Sequence, residues 1–298
     1  MRKAGSPSRR LRSCCASIDW CKLAAMKLMA ILLMSALGAF AQNAQDAFNK
    51  PFPPYKVMGN IYFVGTEELG SFLITTPEGN ILLNSDFEST VPQIKASVEK
   101  LGFRFSDTKI LLGSHAHGDH MEGDAMVKEL TGAQVVVMEQ DVPALSRMTP
   151  HGKPHPMDRV IHDGDEVKLG GVTLVAHLTP GHTKGCTTWT MKVQDGGKTY
   201  NVVILGSIGV NPGYILVNNK DYPQIADDYV RGFKTLRALP CDVFLASHGR
   251  FYGMAEKYAR MKEGAANPFI DPAGYQAHLD LQEKNFRAKL EEQQKAAK

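Results

Sequence analysis

Three imidazoles and one carboxylate fall within six consecutive residues, His115-Ala116-His117-Gly118-Asp119-His120. Imidazole and carboxylate are ligands that zinc prefers, and several on one tight turn can serve a pair of ions. A regular helix or strand would splay these side chains, so the segment is expected to be a loop. Two further histidines stand in similar surroundings. His182 follows Leu178-Thr179-Pro180-Gly181, and His248 follows Val243-Phe244-Leu245-Ala246-Ser247. Each comes just after an apolar run and beside a glycine, as expected of residues delivered from strand ends to one rim of a sheet. The intervals are even, 65 residues from His117 to His182 and 66 from His182 to His248. The remaining histidines are weaker candidates. His151 and His155 lie in a polar, proline-rich segment expected to be an exposed loop. His162 precedes a turn, His177 alternates with apolar neighbours on a strand, and His278 sits on a C-terminal helix.

The elements that must position these residues can be read from periodicity. Asn60 to Val64 reads as a strand, and Ser71 to Thr76 with Asn80 to Leu83 as a hairpin around Pro77-Glu78-Gly79. Ile94, Val98 and Leu101 recur at helical spacing, which predicts a helix over Val91 to Leu101. Lys109 to Leu112 is the strand that enters the histidine-rich loop. A helix over Ala125 to Leu130 and a strand over Gln134 to Met138 follow it. The second half repeats the logic: strands over Val167 to Leu178, Thr188 to Val193 and Tyr200 to Leu205, a helix over Tyr222 to Leu239, and a strand over Asp242 to Ser247. Tyr275 to Lys298 reads as a charged terminal helix. The segment from Arg147 to Arg159 is expected to flank the cleft as a mobile loop.

With these residues in place the chain resembles the metallo-β-lactamase superfamily, whose signature is HxHxDH followed by two later histidines. The resemblance spans about Asn60 to Pro272. It implies an α/β fold, an αββα sandwich of two similar halves with the metal site at one edge of the sheets. It also implies two zinc ions, the first held by His115, His117 and His182, the second by Asp119, His120 and His248. Relatives that hydrolyse thiolesters carry a bridging Asp on the strand before the last histidine. No Asp or Glu occurs from Gly196 to Lys220 here. Ser207, the Ile208 to Tyr214 segment and the run from Gly181 to Trp189 resemble subclass B3. The activity so implied is zinc-dependent opening of the lactam ring of penicillins, cephalosporins and carbapenems, conferring antibiotic resistance. Asp119 would orient the attacking water, Tyr214 would donate to the developing oxyanion, and Ser207, Asn211 and Tyr214 would bind substrate. Asn84 departs from the superfamily, many of whose members carry Asp there. The alternative from the same fold is a secreted hydrolase of a lactone or thiolester. A zinc-binding protein without catalysis is the alternative from another class.

The chain has 298 residues, 43% hydrophobic and 22% charged, an ordinary globular composition. Met26-Lys27, the apolar run Leu28 to Leu37 and Ala39-Phe40-Ala41 read as a cleavable secretory signal, with Met26 the expected start and cleavage after Ala41. Residues 42–298 would then form one catalytic domain in the periplasm. Residues 1–41 hold seven of the 34 basic residues and one of the 31 acidic ones, so their removal turns the formal charge from +3 to −3. No basic, aromatic-interleaved stripe points to nucleic acid. No membrane anchor is expected after processing, and the protein is expected to be a monomer acting on small molecules. Cys186 and Cys241 are the cysteines left after processing, and secretion would permit a disulfide between them.

Overall fold

The computed structural model describes residues 48–297. The expected signal, start and cleavage point therefore lie outside the described residues. Two sheets carry the architecture. The first has seven strands in sequence order: β1 (Tyr55–Met58), β2 (Ile61–Phe63), β3 (Phe72–Thr76), β4 (Gly79–Leu83), β5 (Thr108–Leu112), β6 (Gln134–Met138) and β7 (Arg159–Ile161). The pairs from β1 to β4 are antiparallel and those from β4 to β7 parallel. The second sheet runs β12-β11-β10-β9-β8 and comprises β8 (Glu166–Leu169), β9 (Val172–Leu178), β10 (Thr187–Asp195), β11 (Lys198–Leu205) and β12 (Val243–Ala246). Only its β11–β12 pair is parallel.

Alternation along the strands divides the core. Phe72, Ile74, Ile81, Leu83, Ile110 and Leu112 face the second sheet, where they share one apolar cluster with Leu174, Ala176, Trp189 and Met191. Their sequence neighbours Leu73, Leu82 and Leu111 point the other way, as the two-residue strand period requires. That outer face is covered by α1 (Val91–Lys100), whose buried Val91, Ile94 and Val98 follow helical spacing, and by Val127 of a second helix. Strands with both faces covered read as nearly continuous apolar runs, which is why β4, β5 and β12 were visible as such. The far face of the second sheet is covered in turn by helices at 225–238 and 272–296. Tyr229 stacks on Phe286 with ring centroids 5.0 Å apart, and Tyr275 meets Phe244 at 5.2 Å. The order is helix, sheet, sheet, helix.

Several expectations are corrected. The histidine-rich segment is part loop and part helix: His115 to His117 turn, then α2 (Gly118–Met121) carries Asp119 and His120 on one helical turn. It is followed by α3 (Asp124–Thr131). His155 is not on an exposed loop. It is buried, with its Nε2 3.2 Å from Asp124 Oδ2 and 3.1 Å from the Met121 carbonyl. The stretch from Arg147 to Arg159 is thereby pinned under α3, and it enters the sheet as β7. The short α4 (Val142–Leu145) precedes it. The helix expected from Tyr222 begins later, as α5 (Ile225–Ala238), because Asn219 Oδ1 accepts from the Asp221 and Tyr222 amides and makes a turn there. The remaining helices are α6 (Met254–Lys262) and α7 (Pro272–Ala296). Cys186 and Cys241 are free thiols, and Cys186 Sγ donates to the Ser207 carbonyl.

Candidate metal centre

Four strand ends and one helical turn build the site. β5 runs into the turn through Gly113, where an added Cβ would fall 2.4 Å from the Met121 side chain and require it to shift. Ser114 is then held from both sides: its amide donates to Asn84 Oδ1, and its carbonyl accepts from the Thr187 amide. Asn84 also donates from Nδ2 to the Gly70 carbonyl. A carboxylate could not make that second bond, which gives a physical reason for an amide at this position. β9 leads to His182 through Gly181, whose φ of +124° and contact with Tyr229 exclude a side chain. β12 leads to Ser247 and His248, and His248 pairs in an isolated bridge with Leu69.

Asp141 joins two of these loops. It is 3% exposed; Oδ2 accepts from the Ala116 amide and the Thr183 hydroxyl, and Oδ1 from the Gly185 amide. Burial pushes its carboxyl pKa up, and the three donors pull against that shift.

The donor atoms fall into two groups, each within 4.8 Å: His115 with His117 and His182, and Asp119 with His120 and His248. In the second group His120 Nε2 is 3.2 Å from His248 Nε2, and Asp119 Oδ2 is 3.4 Å and 3.7 Å from those two atoms. Two nitrogens bound at about 2.0–2.1 Å to one tetrahedral zinc stand about 3.4 Å apart, so this triangle fits one ion. In the first group His115 Nε2 is buried without a hydrogen-bond partner, and the three rings pack edge to face at 4.7 to 4.9 Å. Burial lowers the pKa of every one of these imidazoles, His182 to about 3; for His115, His120 and His182 neighbouring rings push further in the same direction. Neutral rings offer the lone pairs that a metal needs. The residues present therefore fit a divalent cation in each group.

Atoms behind the donors fix their orientation. His182 Nδ1 donates to the Gly209 carbonyl at 2.7 Å, which leaves Nε2 free. His248 Nδ1 lies 3.3 Å from Glu68 Oε1, and Arg250 pairs with the same carboxylate oxygen. Asp86, buried behind Asp119, has its carboxyl pKa pushed up to about 8 by burial, against a bond from the Ser71 hydroxyl.

A cleft of about 390 Å³ opens over the two groups. Ser207 and Asn211 line it with His117, Asp119, His182 and His248. Ser207 Oγ is buried and lacks a hydrogen-bond partner. Tyr214 is placed differently. Its hydroxyl donates to the His182 carbonyl at 2.8 Å and lies 3.4 Å from His117 Nε2. Sequence reasoning missed Asp141, Glu68, Arg250 and Gln282, the last two of which also line the cleft. Arg250, two residues after His248, was visible in principle; the others sit far from any ligand in sequence. The other histidines lie elsewhere: His177 on β9 bonds Thr190 on β10, His162 is exposed, and His278 is buried on α7.

A sequence model of the metallo-beta-lactamase superfamily matches residues 71–248. The chain is similar to the FEZ-1 metallo-beta-lactamase of Legionella gormanii, with 49% identity, a TM-score of 0.80 and coverage of 82% of this chain and 98% of that one. It is also similar to BJP-1, a subclass B3 metallo-beta-lactamase of Bradyrhizobium japonicum, at 38% identity and TM-score 0.79, over 86% of this chain and all of that one. A hydroxyacylglutathione hydrolase of Rhodopseudomonas palustris (strain BisB5) is 28% identical over 235 residues, 78% of this chain and 76% of its own length.

Proposed function

This chain belongs to the metallo-beta-lactamase superfamily, and from that membership we propose that it is a periplasmic, di-zinc β-lactam hydrolase acting on penicillins, cephalosporins and carbapenems. The observation that carries the reading is the 49% identity with a metallo-beta-lactamase over four-fifths of the chain. The coarser reading, a divalent-metal hydrolase of this fold, rests on the family and on the two donor groups together. In the cell the activity would confer resistance to these antibiotics.

His115, His117 and His182 would hold one zinc, and Asp119, His120 and His248 the other. Zinc, when bound, acts as a Lewis acid and lowers the pKa of a coordinated water to about 7. The chain's own residues do the rest. Asp119 directs Oδ2 at the two imidazoles and is partly open to the cleft, so its carboxylate can accept a hydrogen bond from the attacking water and orient it. Ser207, at the wall of the cleft, has a buried and uncommitted hydroxyl, which with Asn211 and the Arg250 guanidinium suits the carboxylate that β-lactams carry. Tyr214 keeps its proton, because burial pushes its pKa up to about 12. It can donate to a developing oxyanion only by releasing the His182 carbonyl.

A second reading, a thiolester hydrolase, draws on the hydroxyacylglutathione hydrolase likeness. The absence of any Asp or Glu from Gly196 to Lys220 counts against it, since that strand offers no bridging carboxylate. Hydrolysis of imipenem by the purified chain from Gln42 onward, with zinc and after chelation, tests the proposal. Turnover abolished by the chelator and restored by zinc is expected. A folded, zinc-loaded sample inert to imipenem but active on a glutathione thiolester would replace the first reading with the second. The periplasmic assignment predicts a mature N terminus at Gln42, read by terminal sequencing of exported protein.

A further inference from the structure

We propose that Asp86 is a positioning residue for the second cation site, tying the backbone that carries His120 to the backbone that carries His248. Asp86 is fully buried and has a left-handed backbone, φ +57°, as does Asn84 at +64°. Among residues with a Cβ, Asn and Asp are the ones that adopt that conformation most readily, and the surroundings hold it here. Here the imposing contacts are specific. The amides of Ser85 and Asp86 both donate to the His120 carbonyl, at 3.1 and 3.2 Å, and the Asp86 carbonyl accepts from the Gly123 amide at 2.9 Å. The turn thus grips the helical turn bearing Asp119 and His120 at its C-terminal end.

The side chain makes the other half of the link. Asp86 Oδ2 accepts from Ser71 Oγ at 2.7 Å. The residues before Ser71 are docked on the His248 turn: the Gly70 amide donates to the Ser247 carbonyl, Leu69 bridges to His248, and the Gly249 amide donates to the Glu68 carbonyl. This hydrogen bond, beside the one from Asn84 Nδ2 to the Gly70 carbonyl, couples the two segments that carry His120 and His248, whose Nε2 atoms stand 3.2 Å apart. Asp86 Oδ1 is buried with no hydrogen-bond partner, and the charged group that acts on it is the Asp119 carboxylate. Asp86 also returns a carboxyl to the turn in which Asn84 stands where many superfamily members have Asp.

The inference rests on the two-site reading, and zinc titration of the metal-free chain against a chromophoric chelator tests both. Wild type should show two stepwise constants, with His115→Ala and His248→Ala identifying which triad each belongs to. Asp86→Ala should weaken the second-site constant about 10- to 100-fold and leave the first within about threefold, the range seen when groups behind metal ligands are removed. Asp86→Asn, which still accepts from Ser71 Oγ, should recover most of the loss. Ser71→Ala, which cuts the same bond from the other end with little change in packing, should weaken the second site in the same direction. A role confined to stability would lower the melting temperature of the metal-free protein and weaken both constants together, and that result overturns the proposal. So does an unchanged second constant in Ser71→Ala, which decides the matter alone if Asp86→Ala does not fold. A wild-type chain that binds a single zinc overturns the two-site reading itself, before any variant is made.

Discussion

The residues of the two donor groups were legible because metal chemistry restricts residue type and because four of the six occupy one hexapeptide. What holds them was not. Glu68 meets His248 and Asp141 meets Ala116 only through the fold, and nothing local to either acid distinguishes it from a surface carboxylate. The same applies to Ser207, a small residue after an apolar strand, whose uncommitted hydroxyl becomes visible only when its burial is known. Removing that hydroxyl tests its role. Ser207→Ala should raise KM for a carboxylate-bearing β-lactam about fivefold, the worth of one hydrogen bond of about 1 kcal/mol, and leave kcat nearly unchanged. Steady-state kinetics on imipenem checks this, and a fall in kcat with constant KM would place Ser207 in the chemistry instead. Tyr214→Phe should lower kcat less than about tenfold, because the hydroxyl lost was bound to the His182 carbonyl and removal leaves that acceptor one partner short.

At the scale of elements, long periodic segments were readable and short ones were not. β3, β4, β6 and α1 came out within a residue or two, since each combines an apolar pattern with clear punctuation. β1 follows Pro53-Pro54 and β7 is three residues long, so neither carries enough pattern to be seen; both are strands because a neighbouring strand supplies the pairing. α2 was read as loop because four residues give too little period, and its helical turn is fixed by bonds from His120 and Met121 back to the His117 carbonyl. The loops between strands depend on a few buried bonds, and Asp141 is the most heavily used. Asp141→Ala strands the amides of Ala116 and Gly185, so it should destabilise the metal-free protein by about 3 kcal/mol. Urea denaturation reads that loss, and zinc affinity should fall at the first site, whose ligands those loops carry. Gly181→Ala should be comparably damaging, because a Cβ there meets Tyr229 at 2.6 Å on a backbone with φ +124°. Native-like stability in that variant would show that the turn can relax.

Across the molecule, the histidines of the two donor groups and His155 titrate with opposite sign. The metal-site imidazoles have pKa values lowered by burial, His182 to about 3 from an ordinary 6.5. The unfolded chain binds protons that the folded chain refuses, so metal-free stability should fall as pH drops from about 6.5 toward 3. His155 works the other way. Burial alone would lower its pKa, but the Asp124 carboxylate 3.2 Å away raises it. The stability this pair contributes is present below the ordinary histidine pKa and is lost as pH climbs through the raised value. Asp86, its carboxyl pKa pushed up to about 8 by burial, also loses its contribution as pH rises, so His155→Gln should lessen the alkaline limb without abolishing it and leave the histidine acid limb intact, as thermal melts across pH would show. Among the described residues no helix is long and apolar enough to cross a membrane.

The single carboxylate of Asp141, bonded to a loop after β5 and to another after β9, also has a bearing on ancestry. Shuffling this chain with a relative would not treat those loops as separate inheritable parts. A crossover between residues 116 and 185 pairs one parent's loop with the other parent's anchor, and the offspring keeps the bonds only if the parent supplying residue 141 places an acid there. Crossovers on either side of the interval leave the set whole, so descendants of such crosses should be enriched for breakpoints outside it.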